Sequence, residues 1–305
     1  MGNRDTKICA VIVSFNDICA LKSCVGAIQD QVDWIVIVDN NSIVEEKNQL
    51  ADFKDNIKVT VILNERNLGV GTAINIGIEF AIENNFERVL MLDQDSVADS
   101  YMVSNLLNIG RCNIDGKIGL VVPRIIHSES KTEMPYITKG PFGLIVRKKM
   151  SDETTELISA ITSGSLIECK IIKEIGMLEG SYFIDYIDKE FSNRLISHGY
   201  KIICIQNAVL YHSLGIPLSK SLFSFKLDMY IHNPMRSYYI ARNWILTAKS
   251  YKKMIHWQVY EASSFIFGVL RRILFDSENQ KKHIRNTILG LWHGLKGRSG
   301  YNNEI

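Results

Sequence analysis

The first ninety residues alternate between short apolar runs and segments of helical periodicity. The apolar runs are continuous, which is typical of strands buried on both faces of a parallel sheet. They predict strands at 8–13, 34–38, 59–63 and 88–92. Helical spacing predicts helices at 17–29, where Asp17 is placed to cap the first turn, and at 71–84. This alternation predicts βαβ units with right-handed crossovers around a parallel sheet.

After residue 95 the pattern is less regular, but further elements are expected. Helices are predicted at 101–109 and 188–197, the second closed by His198-Gly199 as a C-cap. Strands are predicted at 118–122, 142–146, 202–205 and 209–212, with a polar loop at 127–140 and helical periodicity from 229 to 275. The chain is therefore expected to form an α/β domain over residues 1–216 and a helical C-terminal region over 217–305.

The composition is that of an ordinary globular chain with a sizeable core: 305 residues, 46% hydrophobic and 22% charged. The cysteines are scattered without C-x-x-C spacing, which indicates neither a zinc site nor a disulfide framework. They are Cys9, Cys19, Cys24, Cys112, Cys169 and Cys204. The polar residues 1–7 lead straight into a strand, and no apolar run approaches 18 residues. We therefore expect no signal peptide, no transmembrane helix and a reducing, cytoplasmic location.

The net charge of +2 conceals a strong asymmetry along the chain. Residues 1–216 hold 21 basic and 28 acidic residues, whereas residues 217–305 hold 14 basic and 5 acidic residues. Aromatic side chains such as Trp244, Trp257 and Phe267 are interleaved with these basic residues, a pattern typical of interfacial helices on anionic lipid. The alternative is a helical appendage that packs on the domain or forms a homodimer contact. No recognised nucleic-acid module is present, so nucleic-acid binding is not expected.

Polar residues follow all four predicted strands at the point where each strand ends. They are Ser14 and Asn16, then Asp39, Asn40, Asn41 and Ser42, then Asn64, Arg66 and Asn67, and finally Asp93, Asp95 and Ser96. Because ligands of parallel sheets bind beyond the carboxyl ends of the strands, these clusters are expected to line one rim. Asp93 and Asp95 are a plausible seat for a hard divalent cation, although an isolated pair of this kind is also a common polar turn. The other three clusters favour a nucleotide-type site.

Gly69 and Gly71 open a helix in a way that superficially suggests the dinucleotide-binding fingerprint. The third glycine is missing, because position 74 is Ile, and the motif follows the third strand rather than the first. A Rossmann-type dehydrogenase is therefore not expected.

Three further features each have two interpretations. The T-S-G-S segment at 162–165 could donate hydrogen bonds to a phosphate or a sugar, or it could be an ordinary turn. Asp188 and Glu190, in the first turn of a predicted helix, suit the helix dipole without any catalysis. An acidic residue such as Asp188 could equally serve there as a general base. His212 could be a metal ligand or a hydrogen-bonding loop histidine.

Together these motifs resemble family 2 glycosyltransferases of the GT-A fold over residues 7–215. The matching segments are V-I-V-S-F-N at 11–16, V-D-N-N-S at 38–42, N-E-R-N-L-G at 64–69, L-D-Q-D at 92–95, T-S-G-S at 162–165, Asp188 and His212. The D-Q-D-S form, F-I-D-Y-I-D at 183–188 and R-x-Y-Y-x-x-R-N at 236–243 are similar to bacterial rhamnosyltransferases in particular. The resemblance implies a central, mostly parallel sheet flanked by helices, with a helical C-terminal appendage.

The resemblance also implies roles for individual residues. Nucleotide-sugar binding is implied for Ser14, Phe15, Asn16, Asp39, Asn41, Asn67, Gly69, Gly71, Asp93 and Gln94, with Asp93 near the ribose. Asp95 would bind a divalent metal, Mn²⁺ or Mg²⁺, with His212 as a further ligand. Candidates for contacts with the acceptor or with phosphate are Ser163, Gly164 and Arg242. Asp188 matches the catalytic base, but Ile187 replaces its usual acidic neighbour and Asp185 lies nearby, so the choice between Asp185 and Asp188 stays open.

The predicted activity is inverting, metal-dependent transfer of L-rhamnose from dTDP-rhamnose to a hydroxyl of a glycan or lipid-linked glycan, at the inner face of the cell membrane. Another donor, such as a UDP-hexose, is the alternative within the class. A sugar-nucleotide nucleotidyltransferase would be expected to carry a basic, glycine-rich loop after the first strand, and S-F-N-D at 14–17 is neither. A non-catalytic nucleotide-sugar binding module is disfavoured by the presence of Asp95 and Asp188.

Overall fold

The computed structural model describes residues 6–53, 56–111, 114–149, 154–213, 216–222, 225–231 and 233–305, with the backbone only for residues 111 and 216–231. The expectations for residues 1–5 and for Cys112 lie outside these ranges. The first half contains β1 (Ile8–Ser14), α1 (Ile18–Ile28), β2 (Trp34–Asp39), α2 (Val44–Gln49), β3 (Val59–Leu63), α3 (Val70–Glu83), β4 (Arg88–Asp93), β5 (Ser96–Ala98), α4 (Met102–Leu107) and β6 (Lys117–His127). Then follow β7 (Tyr136–Lys139), β8 (Ile145–Lys148), β9 (Thr154–Leu157), β10 (Ser165–Glu168), α5 (Cys169–Ile175), α6 (Ile187–Ser197), β11 (Tyr200–His212), β12 (Ile216–Leu222), β13 (Phe225–Ile231), α7 (Met235–Ser250), α8 (Ile255–Phe275) and α9 (Gln280–Leu295).

One large sheet forms the centre of the molecule. Its strand order is β3-β2-β1-β4-β10-β6-β11-β5, with β9 paired to β11. Strands β1 to β4 are parallel to one another, as the alternating pattern predicts. Beyond β4 the sheet is mixed, because β10 runs antiparallel to β4 and β6, whereas β11 runs parallel to β6. The parallel half carries the predicted strand-end clusters.

Helices cover both faces of this sheet. Successive strand side chains point to opposite faces, so β1 contributes to two cores. Its Cys9, Val11 and Val13 pack with α3, and its Ile8, Ala10 and Ile12 pack with α1. Helix α3 approaches closely because Gly77 has no side chain, and a Cβ there would lie 2.2 Å from Val11 Cγ1. The predicted helix ends are confirmed, since Asp17 accepts a hydrogen bond from Ala20 N–H and Gly199 follows α6 with a φ of +81°.

Four expectations for the irregular half of the chain were wrong in detail. The predicted polar loop at 127–140 contains strand β7, and the predicted strand at 142–146 is a single helical turn followed by β8. The two strands expected at 202–205 and 209–212 form one strand, β11, with a register shift between Ile205 and Val209. Helical structure begins at Met235 rather than at 229, because residues 225–231 pair with β12 in a hairpin.

The C-terminal helices pack tightly on one another and on the sheet domain. Glycines let α9 lie against α7, since a Cβ at Gly290 would sit 2.3 Å from the Tyr238 carbonyl oxygen. Helix α7 in turn holds the segment that precedes α6 through Asn243, whose side-chain amide donates to three backbone carbonyls there. Within the described residues, no helix combines the length and apolar character needed to cross a bilayer.

Candidate active site

The carboxyl ends of β1, β2 and β4 form the rim on which the predicted polar clusters meet. The register pairs Ser14 with Asp39 and Val13 with Asp93, so the three strand ends lie side by side. The strand order reverses between β1 and β4, and such reversal points open a crevice in parallel α/β sheets. The fold therefore places Ser14, Asp39 and Asp93 beside the crevice.

Asp39 is fully buried and organises the loops that follow β1 and β2. Its carboxylate accepts hydrogen bonds from the Ser14 hydroxyl at 3.1 Å and from the Ser42 backbone N–H at 3.0 Å. The Ser42 hydroxyl also donates to Asp39 and accepts from the Asn16 N–H, at 2.9 Å. In turn, the Asn16 side chain accepts from the Ile43 N–H at 2.8 Å. Asp39 and Asn16 thus shape the rim from beneath.

The loop after β1 leaves the Phe15 ring free for a ligand. Gln94 clamps this loop from both sides, because its amide oxygen accepts from the Phe15 N–H at 2.7 Å and its amide nitrogen donates to the Phe15 carbonyl at 2.9 Å. The Phe15 side chain is 43% exposed, which suits stacking on a nucleobase. Asn41 lies next to this loop and accepts a hydrogen bond from Lys47 at 2.6 Å.

Asn67, Gly69 and Gly71 shape the crevice through the backbone. The Asn67 side chain accepts from Asn40 and from the Gly69 N–H, both at 2.9 Å. Gly69 has a φ of +84°, and a Cβ there would lie 2.5 Å from the Phe183 carbonyl oxygen. A Cβ at Gly71 would meet the Glu179 carbonyl at 3.2 Å. Both glycines therefore make room for the segment that leads into α6.

Asp93, Asp95 and His212 form a cluster whose ligand atoms all lie within 4.8 Å of one another. The end of β11 reaches the β4–β5 turn because His212 pairs with Ser96 in the sheet. His212 Nδ1 lies 3.0 Å from the Ser96 hydroxyl and 3.3 Å from Asp95 Oδ1, and His212 Nε2 lies 3.9 Å from Asp93 Oδ2. Two carboxylates and an imidazole are a suitable donor set for a divalent cation such as Mn²⁺.

The electrostatics of this cluster also favour a cation. Burial in the crevice raises the pKa of Asp93 to about 6, with His212 opposing the shift and Asp95 and Asp188 adding to it. Burial likewise raises the pKa of Asp95, again opposed by His212. Crowded carboxylates disfavour one another's charge, and a bound cation would relieve that repulsion. The structure brings Asp93 and Asp95 into the same cluster and does not separate their roles.

Ser163 and Gly164 lie beneath the cluster. The buried Ser163 hydroxyl accepts a hydrogen bond from the Asp93 backbone N–H at 3.1 Å and contacts the Ser96 hydroxyl. Gly164 has a φ of +80° and donates its N–H to the Met91 carbonyl at 2.7 Å. The T-S-G-S turn therefore positions the carboxylates at the end of β4 in this structure.

The two candidate bases differ sharply in their surroundings. Both oxygens of Asp185 accept from the Arg236 guanidinium, at 3.0 and 2.6 Å, and the side chain is only 11% exposed. Asp188, in the first turn of α6, accepts a single hydrogen bond among the described residues, from the Lys189 N–H at 2.9 Å. Burial raises the pKa of Asp188, and Lys189 opposes that shift. Asp188 is thus the carboxylate that is available to a proton donor in the crevice.

The segment before α6 is strained and is held in place by α7. Phe183, Asp185 and Tyr186 all have φ values between +64° and +67°, a conformation that costs non-glycine residues about 1–3 kcal/mol each. Asn243, which is buried, lies 2.9–3.0 Å from three backbone carbonyl oxygens of residues 182–185. This clamp fixes the direction in which α6 presents Asp188.

Arg242 does not reach the crevice. It is 1% exposed, and its guanidinium donates to the carbonyls of Tyr182 and Gly300. Arg242 therefore connects α7 to the segment before α6 and to the C-terminal residues. Glu190 is also internal, because it pairs with Arg194 and accepts from the Tyr251 hydroxyl at 2.7 Å.

A cavity of about 630 Å³ joins the cluster to Asp188 and extends to helix α8. Its lining includes Asp93, His212 and Asp188. It also includes basic residues of the C-terminal region that the sequence analysis did not predict as site residues. These are Arg236, Arg271 and Arg272. Sequence reasoning missed them as site residues because they are 48 to 84 positions away from Asp188, and helical periodicity alone does not indicate which core a helix joins.

Several known proteins resemble this chain in sequence. The model of the family described as glycosyl transferase family 2 matches residues 9–176, more than half of the chain. The dTDP-rhamnosyl transferase RfbF of Shigella flexneri is 27% identical over 309 residues, covering 98% of this chain and 99% of the relative. The galactofuranosyltransferase GlfT1 of Mycobacterium tuberculosis is 22% identical over 251 residues, covering 79% of this chain and 81% of the relative.

Solved structures share the fold at low sequence identity. GalNAc-T7 with UDP, GalNAc and Mn²⁺ superposes with a TM-score of 0.62 at 16% identity, over 97% of this chain. The present chain spans 57% of the length of that GalNAc-T7 chain. Residues 1–349 of S. aureus TarS with UDP-GlcNAc superpose with a TM-score of 0.53 at 14% identity, over 96% of this chain and 93% of TarS 1–349.

Proposed function

The chain belongs to glycosyl transferase family 2, and from that premise we propose that it transfers L-rhamnose from dTDP-rhamnose to a hydroxyl group of a glycan or lipid-linked glycan. It is a glycosyltransferase that uses a nucleotide sugar. The rhamnosyl donor is supported by similarity to RfbF over nearly the full length of both chains. The observation that carries the reaction is the arrangement of Asp188 and the Asp93–Asp95–His212 cluster around one cavity.

Asp93, Asp95 and His212 hold the donor side of the reaction. These three residues would hold a divalent cation, Mn²⁺ or Mg²⁺, which would supply positive charge for the diphosphate leaving group. Ser163 and Ser96 fix the carboxylates and the imidazole, so the ligand atoms are already close together before a cation binds. Phe15 and the loops braced by Asp39 and Asn67 receive the nucleoside.

Asp188 acts as the general base on the acceptor side. As the acceptor oxygen forms its bond to the anomeric carbon, the bond from that carbon to the diphosphate breaks, the diphosphate leaves with the electron pair, and Asp188 takes the acceptor proton. Attack opposite the leaving group inverts the anomeric configuration. Asp185 is excluded from this role in the proposal because both of its oxygens are engaged by Arg236.

Donor binding tests the proposal directly. Thermal-shift titrations with dTDP-rhamnose, dTDP, UDP-galactose and UDP-GlcNAc, each with Mn²⁺ and with EDTA, should give the largest stabilisation with dTDP-rhamnose and Mn²⁺. A preference for a UDP sugar would contradict the rhamnosyl donor and would leave membership of the family untouched. Release of pyrophosphate from a nucleoside triphosphate and a sugar phosphate would instead indicate a nucleotidyltransferase.

The region 217–305 provides a peripheral contact with the inner face of the cell membrane. Helices α8 and α9 carry exposed apolar residues at helical spacing. They are Ile255, Val259, Ile266, Phe267, Leu270 and Leu274 on α8, and Ile284, Ile288, Trp292 and Leu295 on α9. The 14 basic against 5 acidic residues of this region complement an anionic lipid surface, to which each basic residue near that surface would contribute about 1 kcal/mol.

Vesicle flotation tests this contact. The chain should float with vesicles of phosphatidylcholine and phosphatidylglycerol at low salt, and Phe267→Ser with Leu270→Ser should abolish flotation. Leu63→Ser, an exposed apolar residue on β3, is the matched control and should float as the wild type does. Recovery of the wild type wholly in the soluble fraction would contradict the contact. If the wild type were a dimer and the double substitution dissociated it, the exposed apolar residues of α8 would instead form a contact with a second copy of the chain.

A further inference from the structure

The cavity beside Asp188 continues past the base to a cluster of guanidinium groups on α7 and α8. Its wall on that side is formed by Arg236 from α7 and by Ser264, Phe265, Gly268, Arg271 and Arg272 from α8. The proposed reaction uses Asp188 and the residues around Asp93, but it leaves Arg271 and Arg272 without a task.

Charge compensation is incomplete at this end of the cavity. Arg236 is paired with Asp185, at 2.6 Å, and Lys189 is paired with Glu261, at 2.7 Å. Neither Arg271 nor Arg272 has a carboxylate oxygen within 4.0 Å among the described residues, in contrast to these two pairs. Two positive charges thus line the cavity wall without an acidic partner in the part of the chain that the structure describes.

The guanidinium groups of Arg271 and Arg272 lie close to each other and to Arg236. Gly268 lies one turn before Arg272, and a Cβ there would be 3.5 Å from Arg272 Nη1, so the guanidinium lies against the helix. Arg272 Nε is buried and has no hydrogen-bond partner among the residues that the structure describes. Burial lowers the pKa of Arg272, Asp185 opposes that shift, and Arg271 and Arg236 add to it. Buried, unpartnered donors and crowded like charges are stabilised when an anion accepts their hydrogen bonds.

We propose that Arg271 and Arg272 bind the phosphate or diphosphate group of an acceptor whose hydroxyl is presented to Asp188. This inference rests on the proposed function, and it names the acceptor class for that same site. Paired guanidinium groups match phosphate oxygens in geometry as well as in charge. In the proposed reaction the donor diphosphate is met elsewhere, by the cation that Asp93, Asp95 and His212 would hold.

The position of α8 points to a lipid as the carrier of this phosphate. The same helix turns Phe267 and Leu270 outward, where they are 67% and 53% exposed, while Arg271 and Arg272 line the cavity. A phosphate attached to a membrane lipid would therefore reach the cavity at the edge of the apolar face. A water-soluble sugar phosphate offers the same oxygens to the arginines, so the test includes both sources.

Binding of inorganic pyrophosphate in EDTA, measured by isothermal titration calorimetry, isolates the arginine site from any metal site. Arg271→Gln or Arg272→Gln should weaken this binding by about tenfold, because each removes a charge-assisted hydrogen bond. Arg271→Lys should retain more of the affinity than Arg271→Gln. Arg285→Gln removes the same charge from an exposed position on α9 and should leave the affinity within about twofold.

Two further measurements separate the possible outcomes. Binding of dTDP with Mn²⁺ should stay within about twofold of the wild type in Arg271→Gln, since that substitution leaves the donor side intact. A parallel loss of dTDP binding would assign the arginines to the donor and overturn the inference, as would pyrophosphate binding that neither substitution weakens. The wild type could fail to bind dTDP-rhamnose and still bind pyrophosphate through the arginines. That result would contradict the proposed donor and support the anion site.

Farnesyl diphosphate distinguishes the two sources of the phosphate. Affinity for farnesyl diphosphate about tenfold or more above that for pyrophosphate, lost in Arg272→Gln, would support the inference with a lipid-linked acceptor. Equal affinities, both lost in Arg272→Gln, would support it with a water-soluble phosphate. Binding of either probe that is indifferent to Arg271 and Arg272 would refute it.

Discussion

Replacement of Asp188 by Asn tests whether Asp188, rather than another carboxylate of the crevice, is the general base. Asn keeps the volume of the side chain and can still accept the hydrogen bond that Lys189 N–H donates, at 2.9 Å, to the carboxylate. It cannot take a proton from the acceptor. A positioned general base contributes about 10²–10⁴-fold to the rate, so kcat should fall by about that factor while dTDP binding with Mn²⁺ is retained.

The pH dependence gives this prediction a second, independent measure. Burial raises the pKa of Asp188, and a general base must be ionised to act, so the wild-type rate should fall on the acid side at a higher pH than an ordinary aspartate would require. At saturating Mn²⁺, which favours the ionised form of Asp93, the same limb should be absent from the residual activity of Asp188→Asn. Both rates are measured as dTDP release from dTDP-rhamnose with acceptor present, over a range of pH.

Asp185→Asn is the matched control for the choice of base. It weakens the pair with Arg236 and should lower the melting temperature, but it should leave the acid limb of the rate profile in place. Retention of more than a tenth of wild-type kcat by a folded Asp188→Asn would refute the assignment. A collapse of kcat in Asp185→Asn, with Asp188→Asn near wild type, would transfer the role to Asp185.

Four further substitutions test the packing and the site. Gly290→Ala should destabilise the protein by about 1–3 kcal/mol in denaturant unfolding, because its Cβ would lie 2.3 Å from a backbone oxygen of α7. Gly26→Ala in α1, where nothing lies within 4 Å, should instead be neutral or stabilising by up to about 1 kcal/mol. Asn243→Ala should cost about 1–3 kcal/mol and lower kcat, because it leaves buried carbonyls of the segment before α6 unpaired. Asp95→Asn should weaken Mn²⁺ binding, measured by electron paramagnetic resonance, by at least about tenfold.

The parallel half of the fold could be read from the sequence because its signals are local. Continuous apolar runs mark β1 to β4, and Asp17 marks the start of α1 through a hydrogen bond to a neighbouring turn. The rim residues after these strands then follow from the topology, since parallel strands end on one side. Asp93 ends β4 and Asp95 lies in the two-residue turn before β5, so their proximity follows from their closeness in sequence.

The other half depends on contacts between distant segments, which no local pattern specifies. His212 joins Asp95 because the last residues of β11 pair with β5, more than a hundred positions earlier. Asp185 differs from Asp188 because it forms an ion pair with Arg236. Arg236 is far from Asp185 in sequence, so no local pattern predicts this pair. Arg242 lies in a motif that suggests a ligand contact, yet the packing of α7 turns it toward backbone carbonyls. The sequence of the strand at 225–231 alternates apolar and polar residues over most of its length, which is typical of a strand. The helical pattern that follows led the prediction to extend the helix back to residue 229.

Turnover of the donor tests the central claim most directly. The purified chain, incubated with dTDP-rhamnose and Mn²⁺, should hydrolyse the donor slowly, with water in place of the acceptor, and so release rhamnose and dTDP. This release should stop in EDTA and resume when Mn²⁺ is restored. UDP-galactose and UDP-GlcNAc under the same conditions should release UDP at a small fraction of that rate. Absence of dTDP release together with rapid release of UDP from either sugar would contradict the account.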